Sequence, residues 1–180
     1  MDQGESQLID RYKQGESEAF GELYDLYANS VYSFVFYRVS NKQTTEDLTS
    51  DVFIKALEAM SRFDPSRASF RTWLYQIARN RVIDYYRTHK PTDDLELAAT
   101  FPAASDVVAD LETAQEREFF RKLLGELSPE QRDLVIMRVW DELSYKEIAE
   151  ITGQNENNLK VQFGRVVKKL SDLAMTSKIA

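Results

Sequence analysis

Basic and aromatic side chains crowd the stretch between Phe63 and Lys90, and these side-chain types suit single-stranded nucleic acid. Residues 67–90 carry 6 Arg and Lys residues against one carboxylate, Asp84. Unstacked bases can lie on aromatic rings while Arg holds phosphates, and so many cations would be costly as a merely solvated face. The loop before the helix offers aromatic and short polar groups that could enclose an extruded base. The candidate DNA-contacting residues are Phe63, Ser66, Arg67, Phe70, Arg71, Tyr75, Asn80, Arg81 and Arg87.

The helix that begins near Phe70 separates into faces at helical spacing. The predicted core stripe consists of Phe70, Trp73, Leu74, Ile77 and Ala78. Two polar tracks are expected outside it, one of Thr72, Gln76, Asn80 and Arg87 and another of Arg71, Tyr75 and Arg79. An indole on an apolar stripe is more often core than a stacking platform, so we assign Trp73 to the core.

A second group of polar residues surrounds a turn at Gly153. Ser144 with Glu147 forms a capping-box pattern that begins a short helix, and Asn155 is expected to cap a longer one. This order is typical of a helix-turn-helix. Asn and Gln can pair with adenine edges, and Arg or Lys can pair with guanine or phosphate. The candidate residues for duplex DNA are Lys146, Asn157, Asn158, Lys160, Val161, Gln162, Arg165 and Lys168.

The same segment also fits two amphipathic helices of an ordinary bundle with a solvated polar face, because such patterns recur in unrelated helical proteins. The long helix has an inward stripe of Leu159, Phe163, Val166, Val167 and Leu170. Upstream, Ser128, Pro129 and Gln131 form another strong helix start, for a helix that reaches Trp140.

Helical periodicity runs almost throughout the chain and predicts an all-α fold. Helices are expected over Ser6–Gln14, from Ser17 to about Val39, and from Phe70 to about His89. Between them a further helix has Thr44 as its N-cap and Asp47 three residues on. Its expected core face is Leu48, Val52, Ile54 or Lys55, and Leu57 or Ala56.

The formal net charge of −7 is unevenly distributed over the 180 residues. Residues 1–66, 67–90, 91–118 and 119–180 carry net charges of −6, +5, −7 and +1. After Pro91 the chain is acidic and shows no helical stripe until about Val107, which is typical of a linker. The predicted organisation is therefore two small helical domains, 1–90 and 107–180, joined by an acidic flexible linker over 91–106.

Composition excludes several classes of function. The chain has no cysteine and a single histidine, His89, so thiol nucleophiles and zinc sites built from Cys and His are excluded. No carboxylate pair, nucleophile or phosphate-binding loop stands out, and we expect neither an enzyme nor a cofactor. The apolar run Val31–Val39 is far too short to cross a bilayer, and the acidic N-terminus does not resemble a signal peptide. A cytoplasmic protein is expected.

Three segments, in this order, resemble bacterial RNA polymerase sigma factors of the sigma-70 family, in the extracytoplasmic-function (ECF) group. Residues 46–57, EDLTSDVFIKAL, look like region 2.2, and residues 70–87, FRTWLYQIARNRVIDYYR, resemble regions 2.3 and 2.4. LSPEQR at 127–132 with LSYKEIAE at 143–150 is similar to region 4. The resemblance implies a region 2 bundle and a region 4 helix-turn-helix, and it covers nearly the whole chain.

The resemblance also implies a division of labour. The first domain would dock on core RNA polymerase, through the β′ clamp and with the β subunit as a further contact, and would melt and bind the single-stranded −10 element. The second domain would bind the duplex −35 element. The acidic linker would thread a basic polymerase channel, and an anti-sigma factor could hold the protein at the membrane without membrane insertion. The implied polymerase-binding residues are Asp47, Leu48, Asp51, Val52, Phe53 and Lys55.

The recognition helix departs from the family pattern. Gln162 stands where an Arg is common, and Gly164 is an unusual mid-helix residue that costs about 1 kcal/mol relative to Ala. The −35 sequence preference therefore cannot be carried over from the family.

Two alternatives to a sigma factor remain open on the sequence. One is a helix-turn-helix regulator that binds duplex DNA without polymerase. The other is a helical adaptor or antagonist at the sigma site of polymerase, which would leave the Arg-rich aromatic helix unexplained.

Overall fold

The computed structural model describes residues 3–88, 119 and 122–177. Within these ranges the chain forms helices, turns and loops and no β-strand, so the predicted all-α fold is confirmed. The chain separates into two compact units, Met1–Ala99 and Thr100–Ala180. The linker predicted over 91–106, the helical restart expected at Val107 and the predicted helix end at His89 lie outside the described residues.

Four helices build the first unit in the predicted order. The first begins earlier than the predicted Ser6 and ends before Gly15, whose φ of +99° lies in the left-handed region that suits glycine. The second ends at Ser40, which is also left-handed, with a φ of 54°. The helices are α1 (Gln3–Lys13), α2 (Glu18–Val39), α3 (Lys42–Ala59) and α4 (Phe70–Thr88), with a 3-10 turn over Met60–Arg62.

The N-cap of α3 differs from the prediction. Asn41, not Thr44, caps the helix: its backbone is extended and its Oδ1 accepts a hydrogen bond of 2.9 Å from the Thr44 N–H. Thr44 therefore lies in the first helical turn, and α3 begins at Lys42. Asn is as good an N-cap as Thr, so the earlier start keeps a capped helix end and adds helical residues.

The C-terminal half of α2 is the centre of this unit. Every residue from Ser33 to Arg38 is buried, because α2 packs against α1, α3 and α4. The ring of Phe34 lies 5.4 Å from that of Tyr75 on α4, and both side chains are fully buried. A helix buried on nearly all sides loses its one-sided pattern, as expected for the core of a bundle.

The buried face of α3 differs from the prediction. Leu48 and Val52 are buried as expected, and Thr45, Thr49 and Phe53 are buried as well. Ile54 and Lys55 are both exposed, so neither is the predicted core residue there. Of the other pair, Ala56 is buried and Leu57 is 46% exposed.

The second unit confirms both predicted capping boxes. Ser128 accepts from the Gln131 N–H, and Ser144 accepts from the Glu147 N–H, with each N3 side chain bonded back to the cap. After a helical turn over 122–125, its elements are α5 (Pro129–Val135), a π-helical segment (Ile136–Trp140), α6 (Tyr145–Thr152) and α7 (Glu156–Ser177).

Two predictions for the second unit need correction. The helix from Pro129 reaches Trp140 as expected, but its last five residues are π-helical, and the Asp141 N–H donates to Ile136 O at 3.2 Å. In α7, Leu159 and Val166 are buried as predicted, whereas Val167 is 47% exposed. The core stripe of α7 is thus narrower than the sequence indicates.

Two glycines of the second unit should respond in opposite ways to alanine. Gly153 has a φ of 71°, where a Cβ costs about 1 kcal/mol or more, so Gly153→Ala should lower the free energy of unfolding by that amount. Gly164 lies in α7 with no heavy atom within 4 Å of an added Cβ. Gly164→Ala should therefore raise the free energy of unfolding by up to about 1 kcal/mol. Urea unfolding followed by Trp140 fluorescence, with Trp73 replaced by Phe, measures both changes. Equal effects of the two substitutions would contradict this account.

Candidate DNA and polymerase interfaces

The outer face of α4 carries the predicted polar track with one exception. Asn80 and Arg87 are exposed and Gln76 is half-buried. Arg87 is 76% exposed and pairs with Asp84 at 3.1 Å, which is a surface interaction worth about 1 kcal/mol at most. Thr72 was expected on this track but is fully buried, because its N–H and hydroxyl both bond with Ser69 at the helix start.

The loop before α4 is held by a carboxylate. Asp64 Oδ1 accepts from the Ser66 backbone N–H at 2.9 Å and from its hydroxyl at 2.7 Å. These bonds, with smaller contributions from Arg67 and Lys13, lower the pKa of Asp64 from its ordinary 3.8. Because the Ser66 hydroxyl donates its hydrogen to Asp64, its oxygen faces other partners as an acceptor.

Three aromatic candidates for base contact are core residues instead. Phe70 is fully buried, as its place in the predicted core stripe requires, and Phe63 is 5% exposed. Tyr75, expected on a polar track, is fully buried, so that expectation is wrong. The rings of Phe63 and Phe70 pack in a cluster with half-buried Trp73: the Phe63 and Trp73 centroids are 4.9 Å apart, and those of Phe63 and Phe70 are 5.7 Å apart. The core assignment of Trp73 is consistent with this packing. The aromatic cluster supports the loop on its buried side. The polar side chains of the loop, Ser66 and Arg67, are exposed.

Arg81 joins α4 to α3. Its Nη2 lies 2.6 Å from Asp51 Oδ2, and its Nη1 lies 3.9 Å from Asp84 Oδ2. Arg81 was predicted to contact DNA and Asp51 to contact polymerase. The pair is partly buried, with side chains 31% and 47% exposed, and it connects the two candidate surfaces directly.

The exposed face of α3 differs from the residues predicted for polymerase docking. Leu48, Val52 and Phe53 are 7%, 0% and 5% exposed, because they lie on the core side of the helix. Of the predicted set, Asp47 and Lys55 are exposed and Asp51 is half-buried. Lys55 pairs with Glu58 at 2.8 Å.

Sequence reasoning missed the apolar part of this face. Ile54, 53% exposed, lies on the same helix face as Asp47 and Asp51, and Leu57, 46% exposed, lies at its edge. The signal was present in the sequence, because once Thr45, Thr49, Val52 and Ala56 form the core stripe, Ile54 must point outward.

In the second unit, α6 and α7 form the predicted helix-turn-helix. Gly153 makes the turn with a φ of 71°, and Asn155 Oδ1 accepts from the Asn157 N–H at 2.9 Å. Gln162 is half-buried, and its amide donates to Gln154 Oε1 across the turn at 3.2 Å. The other predicted contact residues are exposed: Lys146, Asn157, Asn158, Lys160, Val161, Arg165 and Lys168.

Tyr145 braces the start of this motif. The guanidinium of Arg138 lies 5.2 Å from its ring centroid and the ammonium of Lys160 lies 5.9 Å away. The ring of Phe163 packs edge-on at 6.1 Å. The tyrosine thus connects the π-helical segment, α6 and α7, and one of its neighbours, Lys160, is a candidate DNA contact.

Comparison with known proteins identifies the family of this chain. The Sigma-70 region 2 family model matches residues 23–92, and the Sigma-70 region 4 model matches residues 118–170. The chain is 30% identical over 180 residues to the ECF RNA polymerase sigma factor SigW of Bacillus subtilis, covering 92% of this chain and 96% of SigW. The chain belongs to the ECF sigma factors. It is an initiation factor for transcription and not an enzyme.

Two further relatives extend the comparison. The ECF RNA polymerase sigma factor BldN of Streptomyces coelicolor is 33% identical over 174 residues, which cover 93% of this chain and 64% of BldN. The solved structure of CnrH in complex with the cytosolic domain of CnrY has a TM-score of 0.73 and 25% identity, and the match covers 96% of this chain and 98% of CnrH. The length of this sigma factor thus corresponds to SigW and CnrH and to about two thirds of BldN.

The described residues of this sigma factor also bear on metal binding and membrane insertion. Among them, no group of three or more His, Cys, Asp and Glu side chains could hold a metal ion. Within the same residues, no helix is long and apolar enough to cross a membrane.

The Asp64 turn of this sigma factor should be sensitive to acid. Because the folded-state pKa lies below the ordinary 3.8, the turn stabilises the fold at all higher pH and loses this contribution as pH falls through the lowered pKa. Carboxyl NMR titration should place the Asp64 midpoint below 3.8. Ser66→Ala should raise the midpoint only partly, since the backbone N–H bond remains. Ser61→Ala is the control, and a native midpoint at or above 3.8 would refute the turn.

Proposed function

We propose that three surfaces of this ECF sigma factor divide promoter recognition and opening among them. The exposed face of α3 docks on core RNA polymerase, the loop over 63–69 with the outer face of α4 holds single-stranded −10 DNA, and α6 with α7 binds the duplex −35 element. The observation that carries the proposal is the exposed amide and basic face of α4, next to a loop with exposed polar groups. The family membership supplies the partners, which are core polymerase and promoter DNA.

The loop and α4 suit an unpaired base and its backbone. The Ser66 oxygen can accept from a base amino group because its hydrogen is held by Asp64. Arg67, 86% exposed, and Arg87 can meet phosphates by exchanging their surface ion pairs with Asp64 and Asp84, while the Asn80 amide can pair with a base edge. The buried aromatic cluster supports this surface without contacting DNA itself. Arg81 contributes through its link to Asp51 and by its charge.

The docking face of α3 places one apolar side chain among charges. Ile54 lies between Asp47, Asp51 and Glu58 on one face of the helix. Protein interfaces commonly depend on a few apolar or aromatic residues inside a polar rim. We assign the main polymerase contact to Ile54, with Asp47, Asp51 and Lys55 around it.

The second unit fits the major groove of duplex DNA. In helix-turn-helix proteins the N-terminal part of the second helix contacts base edges. Asn157, Asn158, Lys160 and Val161 occupy this part of α7, and they offer amide donors and acceptors, a cation and an apolar group. Arg165 and Lys168 lie further along and suit phosphates.

Three further parts of the proposal concern the domain limits, a regulatory partner and the location of the protein in the cell. The domain limits 1–90 and 107–180, with a linker over 91–106 that threads polymerase, follow from the charge map. An anti-sigma factor is proposed as a regulatory partner on the ground of family membership, and the similar protein CnrH is known in complex with the cytosolic domain of another protein, CnrY. We also propose a cytoplasmic location for the protein. The anti-sigma factor would hold it at the membrane.

The proposal is tested by transcription in vitro with purified bacterial core polymerase and a library of genomic promoters. Start sites should appear that depend on the added protein. Their absence would reject the proposed function. Tight, specific duplex binding by the free protein alone would favour a regulator instead.

Loss of the α4 polar groups should impair opening but not docking. Asn80→Ala and Arg87→Ala should each lower the rate of promoter opening roughly tenfold, because each removes a contact to the unpaired strand. Their affinity for core polymerase should not change. Lys42→Ala, which removes an exposed cation from α3, is the matched control. Loss of core affinity in the α4 variants would refute their assignment to DNA.

A charge at the centre of the docking face should weaken core binding. Ile54→Glu should reduce affinity for core polymerase about tenfold or more, because it places an unpaired carboxylate in the contact. Leu26→Glu changes a side chain of similar exposure, 58%, on α2 and should have little effect. Fluorescence anisotropy with labelled protein measures both. If Ile54→Glu and Leu26→Glu bind core polymerase with equal affinity, Ile54 is not part of the interface.

A further inference from the structure

Glu5 of α1 is a buried carboxylate that none of the three surfaces uses. It is 5% exposed, and both its oxygens accept hydrogen bonds. The Tyr27 hydroxyl donates to Oε2 at 2.6 Å, and the Phe70 backbone N–H donates to Oε1 at 2.9 Å. Burying a charge is costly unless it is paired or hydrogen-bonded, so these bonds account for its place.

The bond to Phe70 fixes the start of α4. The first N–H groups of a helix have no partner within the helix, and a carboxylate there also interacts favourably with the helix dipole. Ser69 satisfies the Thr72 N–H from within the loop. Glu5 satisfies the Phe70 N–H from a helix 65 residues away in sequence. The place where the loop ends and α4 begins is therefore set by α1.

Tyr27 holds Glu5 in turn. Its ring lies 5.7 Å from the ring of Phe70, so the hydroxyl and the ring both face the same junction. Phe70 continues into the cluster with Phe63 at the other end of the loop. Both ends of the loop over 63–69 are thus attached to one buried group of side chains. Glu5 is the carboxylate that this group places at the start of α4.

We propose that Glu5 is a positioning residue for the DNA-binding loop and thereby sets the base selectivity of promoter opening. This inference rests on the proposed function of the loop. Glu5 does not touch DNA. By fixing where the loop ends and α4 begins, it sets the position of the exposed Ser66 and Arg67 relative to the outer face of α4, and a base edge that matches this spacing is preferred over others.

The experiment measures promoter opening by holoenzyme on four promoters that differ only in the base extruded from the non-template strand. Glu5→Ala should lower opening on the preferred promoter about tenfold and reduce the ratio between preferred and other bases. Affinity for core polymerase should not change. Glu5→Gln keeps an acceptor for the Phe70 N–H and should restore opening to within about threefold, with the ratio recovered. Glu22→Ala, which removes an exposed carboxylate on α2, is the matched control.

Several results would overturn the inference. An unchanged ratio in Glu5→Ala would do so, as would a loss of core affinity as large as the loss of opening, because either indicates a role in stability alone. A Glu5→Gln variant no better than Glu5→Ala would also overturn it. If Glu5→Ala does not fold, Tyr27→Phe replaces it, since it removes one of the two bonds to Glu5. That variant should show a smaller loss and a reduced ratio, and unchanged behaviour would reject the inference.

Variants of the loop separate this inference from the proposed function. If Ser66→Ala and Arg67→Ala impair opening and Glu5→Ala does not, the inference fails and the proposed function stands. If the loop variants open all four promoters like the unmodified protein, the loop does not bind the base and the proposed function fails with the inference.

Discussion

Phe34 on α2 and Tyr75 on α4 bury their side chains completely, with ring centroids 5.4 Å apart in the middle of the first unit. This contact fixes the rotation of α4 about its own axis. With Tyr75 inward, Asn80 and Arg87 lie roughly opposite it and must point to solvent. The same rotation brings Arg81 to Asp51 on α3. The exposed face of α4 is therefore a consequence of packing on its other side.

The second unit depends more on local chemistry. Two Ser capping boxes, a left-handed Gly153 and the Asn155 cap define where its helices begin and end. Each of these interactions spans only a few residues of sequence, and each stabilises a helix end by about 1 kcal/mol. The bond from Gln162 to Gln154 and the packing around Tyr145 then join the helices.

The first unit depends on packing between distant residues and the second on local capping, and this difference explains what could be predicted from the sequence. The helix order of both units and the two capping boxes of the second unit were predicted correctly, because they depend on neighbouring residues. Thr72 and Tyr75 were not, since α4 packs against both α2 and α3 and buries a wider arc than one stripe. Helical spacing correctly placed Leu48 and Val52 in the core, whereas the family resemblance assigned them, with Phe53, to polymerase docking, because it marks the helix and not its faces. The bond between Glu5 and Phe70 has no signal in a single sequence, because it joins residues far apart along the chain.

The Asp51–Arg81 ion pair has a consequence for how such a chain can change over generations. Asp51 belongs to the face assigned to polymerase, and Arg81 belongs to the helix assigned to DNA. Replacing Asp51 alone leaves Arg81 with the longer contact to Asp84, and replacing Arg81 alone leaves half-buried Asp51 without this ion pair. If the two surfaces act as proposed, a substitution at either position alters the geometry of both surfaces. Evolutionary change at one position of the pair is then constrained by the residue at the other.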